Sequence, residues 1–320
     1  MDFAVGLARC PGTCGEWVQG ARKGVPFLVD CPIDRFSEAR VALNMHATGW
    51  DLPLGKTKAL QVLQLLKDNL GLPTLGGKVE FIHQLPEGKG MASSTADITA
   101  VAAATLIALG EDPVPERLAH FALQIEPSDS VMFPGITEIE HVQGHNHRVL
   151  GSSVPALFLA LDWGGTIDTR VFNARPGLAK HYRGYEGEIE RAYGLACEGI
   201  EQADLEKLAA AGTISARCNL EINPKSLFEP FLTWVRQNGG LGVVTAHSGT
   251  LLAGVFPQDG FSGRELRKNL RLEAQQRFTP MYLDLFNSHS GGILATKLKL
   301  SENAGGNDAR WKSQTRPGIV

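Results

Sequence analysis

The chain has 320 residues, of which 43% are hydrophobic and 20% charged, and its formal net charge is -3. That length accommodates two domains of ordinary size, each with its own core, and the slight negative balance gives no reason to expect nucleic acid or an anionic membrane as a partner. Five Cys do not make a disulfide framework, and the odd number argues for free thiols in a reducing, cytoplasmic compartment. No basic segment precedes an apolar run at the N-terminus, so no signal peptide is read there. The longest apolar stretch, Val154 to Leu161, is too short to span a bilayer.

In chain order, residues 3–20 are strand-like around a tight turn at Pro11-Gly12, and Phe27 to Cys31 and Ser37 to Asn44 read as short strands. Leu60, Leu63, Leu66 and Leu70 recur at helical spacing and predict a helix over 54–70, closed by Gly71. Gly77 to His83 alternates as a strand. A buried helix is expected over Thr95 to Leu109, with Ser93 as its N-cap and Gly110 as its end. Glu116 to Glu126 predicts a further helix, stopped by Pro127. Ile136 to Val142 and Arg148 to Leu150 form a hairpin pattern. A second block opens near Ser152 with a strand over Val154 to Asp162. Helices are expected over 186–199, 205–218, 226–237 and 262–276, the last with Ser262 as N-cap. Gly239 to Phe256 reads as turn, strand, tight turn at 247–249, strand. Residues 301–320 are polar and glycine-containing and are expected to be disordered. There is no internal repeat.

The stretch Pro86-Glu-Gly-Lys-Gly-Met-Ala-Ser-Ser-Thr-Ala-Asp97 lies between a strand and a helix. Small residues let a backbone approach a ligand, and a helix N-terminus offers free N–H groups to an anion. Lys89 adds a mobile positive charge, and a Ser hydroxyl in the first turn can reach a Mg²⁺. The same residues also suit a plain glycine turn before a capped helix. They are not a Walker A loop, because the Lys-Ser/Thr ending is missing. Glu126 and Asp129 flank a proline, so one carboxylate could hold a metal and the other take a proton from a hydroxyl; equally, Asp129 could cap a turn. Gly240-Leu-Gly242 lacks the third glycine of a dinucleotide fingerprint. Cys10, Cys14 and Cys31 are expected as buried free thiols, and His141, His145 and His147 as an exposed hairpin rather than a metal site. Arg264, Arg267, Lys268 and Arg271 read as a solvated basic face.

Three segments carry a family resemblance. Pro86 to Ala96 resembles the phosphate loop of the GHMP kinases (galactokinase, homoserine kinase, mevalonate kinase, phosphomevalonate kinase), usually Pro-x-x-x-Gly-Leu-Gly-Ser-Ser-Ala-Ala. Cys10-Pro-Gly-Thr-Cys-Gly-Glu16 resembles a shortened form of their N-terminal motif, and Gly242 to Gly254 falls where they keep a C-terminal glycine-rich motif. Within the family, these segments together with Glu126-Pro-Ser-Asp129 and Ala246-His-Ser-Gly-Thr250 are most similar to the L-threonine kinases of cobalamin synthesis and propanediol utilisation.

The resemblance implies an α+β, two-domain GHMP kinase-like fold. Residues 1–151 would be an ATP-binding domain like ribosomal S5 domain 2, residues 152–300 a ferredoxin-like second domain, and 301–320 a disordered tail. It implies ATP and Mg²⁺ as cofactors and a small-molecule acceptor, L-threonine, with no nucleic-acid or membrane partner. ATP would lie along Pro86, Glu87, Gly88, Lys89, Gly90, Met91, Ala92, Ser93, Ser94 and Thr95. Ser94 and Glu126 would ligate the metal, Asp129 would be catalytic, and the loop from His247 to Thr250 would close on triphosphate or substrate. Arg35, Arg40 and Asp162 are candidates for holding the acceptor's charged groups. The sequence departs from the family at Met91-Ala92, where Leu-Gly is usual, and in having Glu126 and Asp129 only three apart. Other GHMP kinase acceptors (homoserine, mevalonate, a sugar), an ATP-dependent decarboxylase and a non-catalytic sensor of the same fold are the alternatives.

Overall fold

A computed structural model describes residues 4–298; the tail expected at 301–320 lies outside the described residues. The first half contains β1 (Val5–Arg22), β2 (Val25–Asn44), β3 (Trp50–Asp51), α1 (Thr57–Leu70), β4 (Gly76–His83), α2 (Ser93–Leu109), α3 (Pro115–Ile125), β5 (Ile136–Ile139) and β6 (His147–Gly151). The second contains β7 (Ala156–Asp162), α4 (Thr169–Asn173), α5 (Leu178–Gly184), α6 (Glu186–Glu201), α7 (Leu205–Asn219), α8 (Phe228–Gln237), β8 (Gly242–Thr245), β9 (Leu252–Pro257), α9 (Arg264–Phe278), β10 (Tyr282–Asn287) and β11 (Leu294–Leu298). All the strands join one sheet of order β10-β7-β9-β8-β1-β2-β4-β3, with β11 also pairing β1 and the β5–β6 hairpin attached to β2.

β1 is where sequence and structure first part. Pro11-Gly12 does not turn the chain; β1 runs through it, and β2 is likewise one strand where two were expected. The local irregularity shows up instead as register shifts at Pro11/Thr13, Thr13/Glu16 and Glu16/Val18. Such bulges bend and twist a strand without ending it. The bend lets another chain segment dock: Thr13 N–H donates to Met91 O at 3.1 Å. A Cβ on Gly12 would lie 2.8 Å from that same carbonyl, and one on Gly15 would lie 2.5 Å from Thr245 O. The glycines mark close approach rather than a turn.

α2 packs on β1 and β2, with α1 and α3 beside it. It is buried on nearly every face, which is why its Ala-rich sequence shows no polar stripe. β7 is covered on both sides. Leu157, Leu159 and Leu161 enter a core with Phe228, Phe231 and Phe256, while Ala156, Phe158 and Ala160 face the main core with Trp17. The strand period of two therefore feeds both cores from one apolar run. α9 begins at Arg264 with Gly263 at the cap position, so Ser262 is not its N-cap. In the basic stripe there, Arg267 donates to Phe261 O and Asn287 Oδ1, and Arg271 to Leu283 O; those two are structural rather than simply solvated.

Candidate active site

The expected strand, glycine loop and helix are present. α2 follows β4, and its N-terminus faces a cavity of about 390 Å³. The cap is Ala92, not Ser93; Ala92 has φ 55°, and no side chain caps the helix. The left-handed turn at Ala92 swings the chain abruptly into the helix. The first N–H groups of α2 are thus left without a side-chain partner, as suits an anion site. Glu87, Gly88, Gly90, Met91, Ala92, Ser93, Ser94 and Thr95 line the cavity, and Pro86 and Lys89 are not part of its lining.

Lys89 is not the mobile charge expected. Its Nζ lies 2.6 Å from Asp162 Oδ1 and 3.0 Å from Gly165 O. Asp162 is fully buried and also accepts a short hydrogen bond from Thr250 Oγ1, so it is not free to meet an acceptor. Arg35 pairs with Asp34 and Asp284, and Arg40 with Glu80; neither lines the cavity.

Despite their short spacing, Glu126 and Asp129 both reach the cavity. Glu126 caps the end of α3 in an extended conformation (φ -163°), and Pro127 follows. Its Oε1 accepts a short hydrogen bond from Ser94 Oγ. Lys58 Nζ lies 2.6 Å from Glu126 Oε2 and 3.0 Å from Ser94 Oγ. A hydroxyl and a carboxylate in contact, already gathered around a cation, fit the hard oxygen donors that Mg²⁺ prefers. Asp129 Oδ2 accepts from Thr95 Oγ1 at 2.8 Å. Burial, then the charge of Glu16 and, less, that of Glu126 push the Asp129 carboxyl up to about 7 against the lowering effect of Thr95.

Several residues of the site escaped the sequence reading. Lys56 Nζ sits 2.8 Å from Asp97 Oδ2 and 2.5 Å from Glu87 Oε1. Burial opposes its charge, but these hydrogen bonds outweigh burial and raise its pKa. Lys56 and Lys58 open α1, whose first turn holds no acidic residue. Cations there oppose the helix dipole, and that local misfit was the signal available in the sequence. Glu16 lines the cavity and Asp30 is fully buried behind it: one carboxylate oxygen from each of Glu16, Asp30 and Asp129 lies within 4.8 Å of the others. Glu16 Oε2 accepts from His247 N at 2.9 Å and lies 2.8 Å from His247 Nδ1, whose ring faces Ser215 Oγ through Nε2 at 3.0 Å. Asp30 Oδ2 accepts from Ser130 N and Oγ at 2.5 and 2.7 Å. Burial, reinforced by Asp129, pushes the Asp30 carboxyl well above its ordinary value.

The turn at 247–250 supports the glycine loop from behind. Thr250 and Leu251 donate their N–H groups to Lys89 O at 3.2 and 3.1 Å, and of the four turn residues Ser248 alone lines the cavity. Cys10, Cys14 and Cys31 are buried free thiols, pushed well up by burial. His141 is not on an exposed hairpin: it is 2% exposed, faces Asn173, and burial lowers its pKa to about 4.

Residues 57–133 match the family model described as GHMP kinases N terminal domain. Over 251 residues the chain is 30% identical to the L-threonine kinase of Salmonella typhimurium, covering 78% of this chain and 82% of that protein. The chain belongs to the GHMP kinase family. Its fold agrees: a homoserine kinase from Cytophaga hutchinsonii superposes with a TM-score of 0.65 at 15% identity, covering 92% of this GHMP kinase and 98% of that chain. A structure of MDDEF in complex with MVAPP, AMPPCP and magnesium gives a TM-score of 0.67 at 17% identity, covering 93% and 100%. Among the described residues of this GHMP kinase, no helix is long and apolar enough to cross a membrane.

Proposed function

We propose that this GHMP kinase transfers the γ-phosphate of ATP to the hydroxyl of L-threonine, giving O-phospho-L-threonine. The observation that carries the acceptor is the 30% identity to an L-threonine kinase over most of both chains. In this reading residues 1–151 form the ATP-binding half and 152–300 supply the turn that braces the glycine loop. The kinase would work in the cytoplasm, and its product would feed the aminopropanol linker of cobalamin.

The cavity suits phosphoryl transfer, which asks for positioning and charge neutralisation more than covalent chemistry. Backbone N–H groups from Gly88 to Ser93 would cradle the phosphates, with Lys56 and Lys58 as nearby positive charge. Ser94 and Glu126 would hold Mg²⁺, which when bound neutralises phosphate charge. Asp129 orients the acceptor hydroxyl and takes its proton as the new O–P bond forms and the bond from the γ-phosphorus to the ADP oxygen breaks. A carboxyl with a pKa of about 7 is well matched to accepting a proton near neutral pH.

The test is a panel of L-threonine, L-serine, L-homoserine and mevalonate with ATP and Mg²⁺, following ADP release and the phosphorylated product by ³¹P NMR. L-Threonine is expected to react fastest and to yield a stable phosphoester. Turnover of another alcohol with none of L-threonine overturns the acceptor, and CO₂ release overturns simple phosphoryl transfer.

A further inference from the structure

Most acidic groups around the cavity are already engaged. Glu87 and Asp97 share Lys56, and Glu126 faces Lys58. Asp168 caps α4 and lies 3.7 Å from Arg170. Glu16 and Asp129, which also line the cavity, form no ion pair with a lysine or arginine among the described residues; Glu16 meets His247, and the charge of half-buried Lys225, held at Ala246 O, reaches Glu16 only from further off. Behind them stands Asp30, fully buried, whose Oδ1 has no hydrogen-bond partner. A buried oxygen left unsatisfied is costly, and three converging carboxylates repel one another. The arrangement calls for a small cation with several N–H donors or an equivalent charge.

We propose that Glu16, Asp30 and Asp129 receive the acceptor's primary ammonium, and that the acceptor class is therefore a 1,2-amino alcohol. This rests on the reading that Asp129 faces the acceptor hydroxyl. An ammonium has three N–H donors. Acceptors around a tetrahedral donor at ordinary hydrogen-bond length stand about 4.6 Å apart, a spacing that three oxygens all within 4.8 Å of one another leave room for. In a 1,2-amino alcohol the ammonium and hydroxyl lie on adjacent carbons. An ammonium seated against Asp129 therefore brings the hydroxyl beside the same carboxylate. His247 and Ser130 each fix one oxygen of Glu16 and Asp30, so the carboxylates are oriented by the protein before the acceptor arrives.

The experiment compares kcat/KM for L-threonine with that for its deamino analogue, 3-hydroxybutyrate, in the wild type, Glu16→Gln and Asp30→Asn. The wild type is expected to prefer L-threonine strongly, and each variant to lower the ratio of the two values by about tenfold or more, chiefly through KM for L-threonine. If Asp30→Asn does not fold, as judged by its thermal melt, Glu16→Gln carries the test. L-Threonine turnover with an unchanged ratio in the variants overturns the subsite while leaving the proposed function standing. No wild-type turnover of L-threonine overturns the function itself. Mn²⁺ binding without nucleotide, seen by electron paramagnetic resonance and abolished by Glu16→Gln, would make the cluster a metal site and also overturn the proposal.

Discussion

Asp129 is a carboxylate whose surroundings set both its chemistry and its pH dependence. With its pKa raised to about 7 in the free protein by burial and by Glu16, the base form is lost as pH falls, so kcat/KM is expected to drop below about pH 7. Asp129→Asn should lower kcat by about 10²–10⁴, leave ATP binding measurable by calorimetry, and abolish that acid limb; unchanged kcat removes Asp129 from the reaction. Stability follows with the opposite sign. A carboxyl whose folded pKa lies above its unfolded value contributes stability that is present in acid and lost as pH rises through the folded pKa. Asp129→Asn is therefore expected to be more stable than the wild type at pH 8, by about 4 kcal/mol, with the difference vanishing below about pH 4. That Ser94, Glu126 and Asp129 meet at one cavity was legible in the sequence because each sits within a short motif. Asp30 gave no local signal, and the partners of Lys56, Lys58 and Glu16 were not legible, since they lie tens to hundreds of residues away. Ala92 shows the limit of a propensity argument. Serine is the better cap by type, yet the chain turns at alanine, at φ 55°. Ala92→Gly relieves the left-handed strain while loosening the unfolded chain, and the melting temperature should move by no more than about 1 kcal/mol equivalent. Ala92→Val, β-branched in the same region, should lose about 2 kcal/mol or more; equal melts for the two would remove the strain argument.

At the scale of elements, the glycine loop and the turn at 247–250 form one unit. The sequence showed both as glycine-rich turns and showed the flanking strands. It did not show that the second braces the first, because backbone contact between distant loops leaves no periodic trace. A Cβ on Gly249 would lie 2.6 Å from Gly90 N and Cα, so Gly249→Ala has no room unless the glycine loop shifts. The expected outcome is a KM for ATP raised about tenfold or more, since a displacement of about an ångström can cost 10²-fold in a positioned site; an unchanged KM would show that the loop is not held in place by this turn. Helices α1, α2, α3, α6, α7 and α8 were readable from apolar spacing and from breakers such as Gly71, Gly110 and Pro127. β1 and β2 were broken too early, because Pro and Gly signal a turn locally while the surrounding sheet holds the strands straight through them.

For the molecule as a whole, the α+β class was legible, but the single sheet was not: its order depends on pairings such as Glu16 with Thr245 that no local pattern encodes. The halves are also joined by charge. Lys89, in the glycine loop, is paired with Asp162 at the end of β7, and Asp162 is fully buried. Removing one member of such a pair strands the other in a poorly hydrated place. Asp162→Ala is expected to lose about 3 kcal/mol in urea denaturation and to weaken ATP binding by loosening Lys89. A loss below about 1 kcal/mol would place the pair with weak surface ion pairs.

The pairing of β11 with β1, Val5 opposite Leu298 through Arg9 opposite Leu294, sets the order of events during synthesis. β1 emerges before the other described strands, yet its Val5–Arg9 stretch keeps one edge unpaired until β11 has followed. At about 5–20 residues per second, that interval is roughly 15–60 s. An apolar strand waiting so long with an open edge is a natural client for a holding chaperone. Chains released before residue 294 should accumulate in the insoluble fraction, however well their glycine loop is formed.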